Sequence, residues 1–195
     1  MNGARAVRKY ELSEAVARGT CPVCTVLRHR QTQLIEEREI PDAAHLCNHH
    51  AWSMARSAPA AVASKVFLQS LYARQHDEMP GQDGKCDFCK ALRQEEAGKL
   101  KELLEKMKTP VFLEWMRKNG TLCLRHAGKV AERLPNETRA VIAELLSRTL
   151  TELEQDLEEY SKIARQGAHA GGGVLGRAAE FLVCQRGIPG EETPC

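Results

Sequence analysis

One pattern occurs twice in this chain and limits what it can fold into. Cys21, Pro22, Val23 and Cys24 are followed after 22 residues by Cys47, Asn48, His49 and His50. Cys86, Asp87, Phe88 and Cys89 are followed after 33 residues by Cys123, Leu124, Arg125 and His126. Both segments read CxxC and then LCxxH, with Leu46 and Leu122 ahead of the third cysteine and Pro59 and Pro135 nine residues beyond the histidine. A unit repeated in so many positions predicts two pseudo-repeats, about 10–80 and 81–165. The two intervening lengths differ by 11 residues, close to three helical turns, so an inserted helix can lengthen without turning its face.

Two residues between cysteines allow a helix start to aim both sulfurs at one point, and Cys and His at i and i+3 share a helical face. Three thiolates and one imidazole complete the tetrahedral donor set of a structural zinc ion. The spacing therefore predicts two Cys3His sites, each within its own copy: Cys21, Cys24, Cys47 and His50 in one, Cys86, Cys89, Cys123 and His126 in the other. Each would carry a net charge near −1, which the nearby Arg28, Lys85, Lys90 and Arg125 are placed to balance. An iron–sulfur cluster is the alternative cofactor, although four cysteines are its usual ligands. Thioredoxin-type redox chemistry does not fit, since no strand precedes either CxxC. Covalent haem would need a histidine where Thr25 and Lys90 stand.

The remaining residues point to helices. Aromatic residues are 5% of the 195 positions, while unbranched helix formers abound. The expected fold is all-α: a helical bundle built from two pseudo-repeats, each tied by a metal site, plus a C-terminal helix. Positions 1–165 would form a single helical domain. A glycine-rich linker at 166–173, a helix at 174–187 and a disordered tail at 188–195 would follow. Ser13 and Gly19 bound a short first helix, Cys21 and Pro22 open the next, and Pro110 to Lys118 forms a short helix closed by Asn119 and Gly120. Asn136 is placed to cap a long helix ending near Arg165. Val23, Leu27 and Leu34, then Val62, Val66, Leu68 and Leu71, then Val141, Leu145, Leu153 and Leu157 form apolar stripes. Trp52, Phe112 and Trp115 read as core residues, as does Cys184 beside Phe181; Cys195 reads as a free thiol. His49 would point about 100° away from His50 on a helix and is left outside the ligand set. His29, His45, His76 and His169 read as polar-surface residues.

The doubled motif resembles that of an uncharacterised prokaryotic family, a domain of unknown function, in which CPxC and LCxxH precede a second CxxC and LCxxH. The likeness extends to Arg177, Ala178, Ala179, Glu180, Phe181, Leu182 and Val183. It implies a helical fold and the same eight ligands, and no activity. Cys184 and the glycine-rich stretch from Ala168 to Gly173 depart from the family pattern and argue against firm docking of the last helix.

Charge and hydropathy exclude several roles. Lys plus Arg number 28 against 26 Asp plus Glu, and each half of the chain carries about one net positive charge, so no basic footprint for nucleic acid stands out. No apolar run suits a membrane span or a signal peptide, which together with the cysteine usage predicts a cytoplasmic protein without a membrane partner. Closed four-donor sites leave no position for a reacting water, so a binding or adaptor module with a protein partner is expected rather than an enzyme.

Overall fold

The structure, a computed structural model, describes residues 12–17, 19–36, 46–76, 86–165 and 173–183. Among these residues there are only helices, turns and short connections: α1 (Leu12–Ala17), α2 (Pro22–Glu36), α3 (Asn48–Ser57), α4 (Ala60–His76), α5 (Asp87–Met107), α6 (Pro110–Asn119), α7 (Leu124–Ala131), α8 (Asn136–Arg165) and α9 (Gly173–Val183). The all-α expectation holds.

Helix boundaries follow local chemistry closely. Gly19 adopts φ +64°, and its N–H reaches the carbonyl of Val16 at 3.0 Å while that of Thr20 reaches Ala15 at 3.4 Å. This is a Schellman stop that favours a residue without Cβ. Two expected caps fall inside their helices instead. Ser13 lies inside α1, which begins at Leu12. Asn136 is the first helical residue of α8, and the carbonyl of Pro135 accepts from Thr138 at 3.1 Å and Arg139 at 3.0 Å.

α2 and α5 pack against each other and form the spine of the bundle. α1 packs on α2 and α6, α8 on α6 and α7, and α9 on α7 and α8, while α3 and α4 pack together. The stripe of α2 is buried as expected at Val23, Leu27 and Leu34, and α5 buries Phe88, Leu92, Leu100, Leu103 and Met107. Truncating a fully buried leucine such as Leu27 to alanine costs about 2–5 kcal/mol in cores of this kind. Arg148 of α8 donates to the carbonyls of Arg117, Lys118 and Gly120, satisfying the open end of α6 and fixing the strand of chain that enters Cys123.

Three packing expectations are corrected. Trp52 is 61% exposed, and on α4 Leu68 and Leu71 face solvent while Val62, Ala63 and Val66 are buried. α4 is apolar around much of its circumference, so its one buried stripe leaves other apolar side chains outside. Phe112 and Trp115 are half-buried against the core. The last helix docks despite its glycine-rich approach. Phe181 is buried, which contributes about 1.5–3 kcal/mol, whereas the surface pairs Arg28–Glu180 and Arg177–Asp156 add little. Expectations for the linker, the tail, Lys85, His45, His169, Cys184 and Cys195 fall outside the described residues, as does the side chain of His76.

Candidate metal centres

All four cysteine motifs turn out to be one local device. Cys47, Cys86 and Cys123 are the N-cap residues of α3, α5 and α7, and Cys21 immediately precedes Pro22 at the start of α2. The carbonyls of Cys21, Cys47, Cys86 and Cys123 each accept the first intrahelical hydrogen bond, at 3.0, 2.9, 3.0 and 2.9 Å. The second residue of each motif is therefore the third residue of its helix, where a side chain turns back toward the N-cap. Each motif delivers two donors at a helix N-terminus, where the macrodipole favours negative charge.

The four helix starts meet in pairs, and the pairs cross between the two CxxC…LCxxH segments. Cys21 and Cys24 join Cys123 and His126, while Cys47 and His50 join Cys86 and Cys89, with the donor atoms of each quartet within 4.8 Å of one another. All eight expected ligands are brought together, but the expected partition within each copy is wrong. The physical reason is the packing of α2 along α5. Each LCxxH start docks against the CxxC start of the other motif pair.

In the first cage, His126 Nδ1 lies 3.4 Å from Cys21 Sγ, 3.3 Å from Cys24 Sγ and 3.1 Å from Cys123 Sγ, and the sulfurs of Cys24 and Cys123 are 3.6 Å apart. In the second, His50 Nδ1 lies 3.2 Å from Cys47 Sγ, 3.5 Å from Cys86 Sγ and 3.3 Å from Cys89 Sγ, with Cys47 and Cys89 sulfurs 3.7 Å apart. Cys21, Cys47 and Cys86 are free thiols.

The surroundings of the two histidines differ. His126 Nε2 meets Glu96 Oε1 at 3.0 Å, and the same carboxylate is held by Arg125 at 3.1 Å and Lys129 at 3.3 Å. Glu96 is itself buried. Burial pushes its carboxyl up, but the hydrogen bond to His126 and the charges of Arg125, Lys129 and His126 together hold it below the usual carboxylate range. A carboxylate behind a ligating imidazole fixes its tautomer and raises its basicity. Of the four expected cations, Arg125 acts through Glu96. Arg28 pairs with Glu180 instead, and Lys90 is exposed. Glu96 and Lys129 escaped sequence reasoning. The available signal was a charged residue at a stripe position of α5, between Leu92 and Leu100.

His50 has no such support. It is 2% exposed, its Nε2 has no hydrogen-bond partner among the described residues, and its ring stacks on Phe88 at 5.4 Å between centroids. His49 stays outside the cage, edge-on to His50 at 5.1 Å, with Nε2 3.3 Å from Ser53 Oγ. His29 pairs with Gln33 at 3.1 Å.

Thiol acidities follow from these contacts. Cys21 is pushed up by burial, yet hydrogen bonds from Cys123, Cys24 and His126 bring it well below the ordinary thiol value. Cys47 is lowered to about 6, chiefly by its hydrogen bond with Cys86 and, against the opposing effect of burial, by the N–H groups of His50 and His49. Cys86 is raised to about 12 by holding the shared proton and by burial. Without an ion the pair thus shares a proton, which a metal must displace.

Comparison with protein-family models, curated proteins and solved structures found no match.

Proposed function

We propose that this chain is a two-zinc helical protein whose metals are structural and whose surface serves as a binding module for a protein partner. The observation that carries this reading is the gathering of eight Cys and His donors, all but Cys47 buried, into two quartets, each within 4.8 Å. Zn–S bonds of about 2.3 Å and Zn–N bonds of about 2.0 Å at tetrahedral angles put sulfurs about 3.8 Å apart and sulfur and nitrogen about 3.5 Å apart. The spacings of 3.6 and 3.7 Å between sulfurs, and of 3.1 to 3.5 Å from sulfur to nitrogen, sit close to those values. A cluster of several irons distributes its thiolates over different metals and needs a wider cage, which favours one ion per quartet.

Each ion would tie together two helix starts far apart in sequence. Structural zinc of this kind contributes on the order of 10 kcal/mol of apparent folding free energy. Four donors also close the coordination sphere, which supports a structural rather than a catalytic ion. No helix among the described residues is long and apolar enough to cross a membrane. Cysteines gathered as metal donors suit a reducing compartment, the cytoplasm in this reading. For a protein partner the most suitable surface is the exposed apolar group of Trp52, Leu68, Leu71 and Tyr72 on α3 and α4.

Metal analysis of untagged, reduced protein purified without oxygen tests the assignment. Colourless protein with about two zinc equivalents per chain is expected. Visible charge-transfer absorption with iron and acid-labile sulfide would replace zinc with a cluster and overturn it.

A further inference from the structure

The two quartets contain the same donors but are built to hold an ion differently. Around His126 the cage is closed on every side: Cys21, Cys24 and Cys123 are buried, and the imidazole is braced by Glu96, which Arg125 and Lys129 hold in turn. Around His50 the imidazole ends on an Nε2 that no described residue partners, above the Phe88 ring, and Cys47 is only partly buried. The sequence carries the same difference. Seven residues beyond the second cysteine of each CxxC stands Glu96 in one case and Gln31 in the other. A neutral amide at that position has no carboxylate to offer an imidazole.

Two consequences follow for a bound ion. The braced histidine is a stronger donor with a fixed ring, and such partners typically change metal affinity 10–100-fold. The half-buried Cys47 gives water or a competing ligand an approach to the second ion that the first lacks. The second cage is also where α3 meets α5, and α3 and α4 otherwise pack chiefly on each other.

We propose that the His50 cage is an exchangeable metal site and the His126 cage a permanent one, so that metal availability governs how firmly α3 and α4 are clamped to α5. This inference rests on the two-metal reading above. It assigns the regulated ion to Cys47, His50, Cys86 and Cys89.

The test is zinc release from the reduced, zinc-loaded full chain into an excess of a chromogenic chelator, with zinc content measured before mixing. Two phases of about one equivalent each are expected, with rates separated at least tenfold. Cys47→Ser should abolish the fast phase and leave the slow one. Glu96→Gln should accelerate the slow phase 10–100-fold without altering the fast one, a local effect that general loosening of the fold would not produce. Hydrogen exchange during the fast phase should rise in α3 and not in α7. Release of both equivalents in a single phase, or loss of the slow phase in Cys47→Ser, would overturn the proposal while leaving two zinc sites in place. If the protein holds a single equivalent, its survival in Cys47→Ser and loss in Cys123→Ser supports the proposal, and the reverse contradicts it. Absence of bound zinc before mixing would instead defeat the two-metal reading itself.

Discussion

The sulfurs of Cys24 and Cys123 stand 3.6 Å apart although 99 positions separate them in the chain. This contact couples the start of α2 to the start of α7, just as Cys47 and Cys89 couple α3 to α5 at 3.7 Å. Two crossed ties make the halves interdependent. Neither CxxC…LCxxH segment completes a quartet alone, so an ion in either cage would stabilise contacts made by both.

Glu96 sets an acid limit on the first cage. Its carboxyl lies below the usual range in the folded chain, so the stability it contributes is present above the unfolded value of about 4.3 and is lost as pH falls through the lower folded value. Glu96→Gln should be less stable than wild type at neutral pH in urea unfolding, and the gap should close as the pH drops toward about 3. A gap independent of pH would contradict this role, since thiolate protonation affects both proteins alike.

Cys47 and Cys86 should differ sharply as nucleophiles in the reduced, metal-free protein. With Cys47 lowered to about 6 and partly exposed, and Cys86 raised to about 12 and buried, alkylation at neutral pH should mark Cys47 first. Its rate should climb through about pH 6, and zinc should suppress it. Mass spectrometry showing equal labelling of the two residues would exclude the shared-proton arrangement.

Alanine should act in opposite senses at two glycines on either side of Cys123. A Cβ at Gly120 would meet the Met116 carbonyl oxygen at 2.6 Å and the Met116 side chain at 2.9 Å, whereas Gly128, inside α7, has open space. Gly120→Ala should lose about 1–3 kcal/mol. Gly128→Ala should gain about 0.5–1 kcal/mol from helix propensity. Thermal melts report both, and a stabilised Gly120→Ala would show that the chain entering Cys123 is not held as described.

Helix starts were legible because each rests on local chemistry. A cysteine before a helix, with a second donor three residues on, specifies an N-cap pair whatever surrounds it. Partner choice was not legible, because all four starts offer Cys with Cys or Cys with His, and spacing alone cannot say which two face each other. That decision belongs to the packing of α2 on α5. Glu96 was hidden by its type, since carboxylates are seldom buried without a partner and the partner lies 30 positions away at His126. Trp52, Leu68 and Leu71 illustrate the opposite case. Apolar character predicts burial only where a neighbouring helix covers that face, and along α4 the buried side is the one bearing Val62 and Val66.

Zinc stoichiometry in two double variants tests the crossed pairing most directly. Cys21→Ser with Cys123→Ser removes two ligands from one cage and should leave about one zinc per chain, whereas Cys21→Ser with Cys47→Ser damages both cages and should leave almost none. The reversed outcome, almost none in the first variant and about one in the second, would mean that each CxxC shares its ion with the LCxxH of its own half.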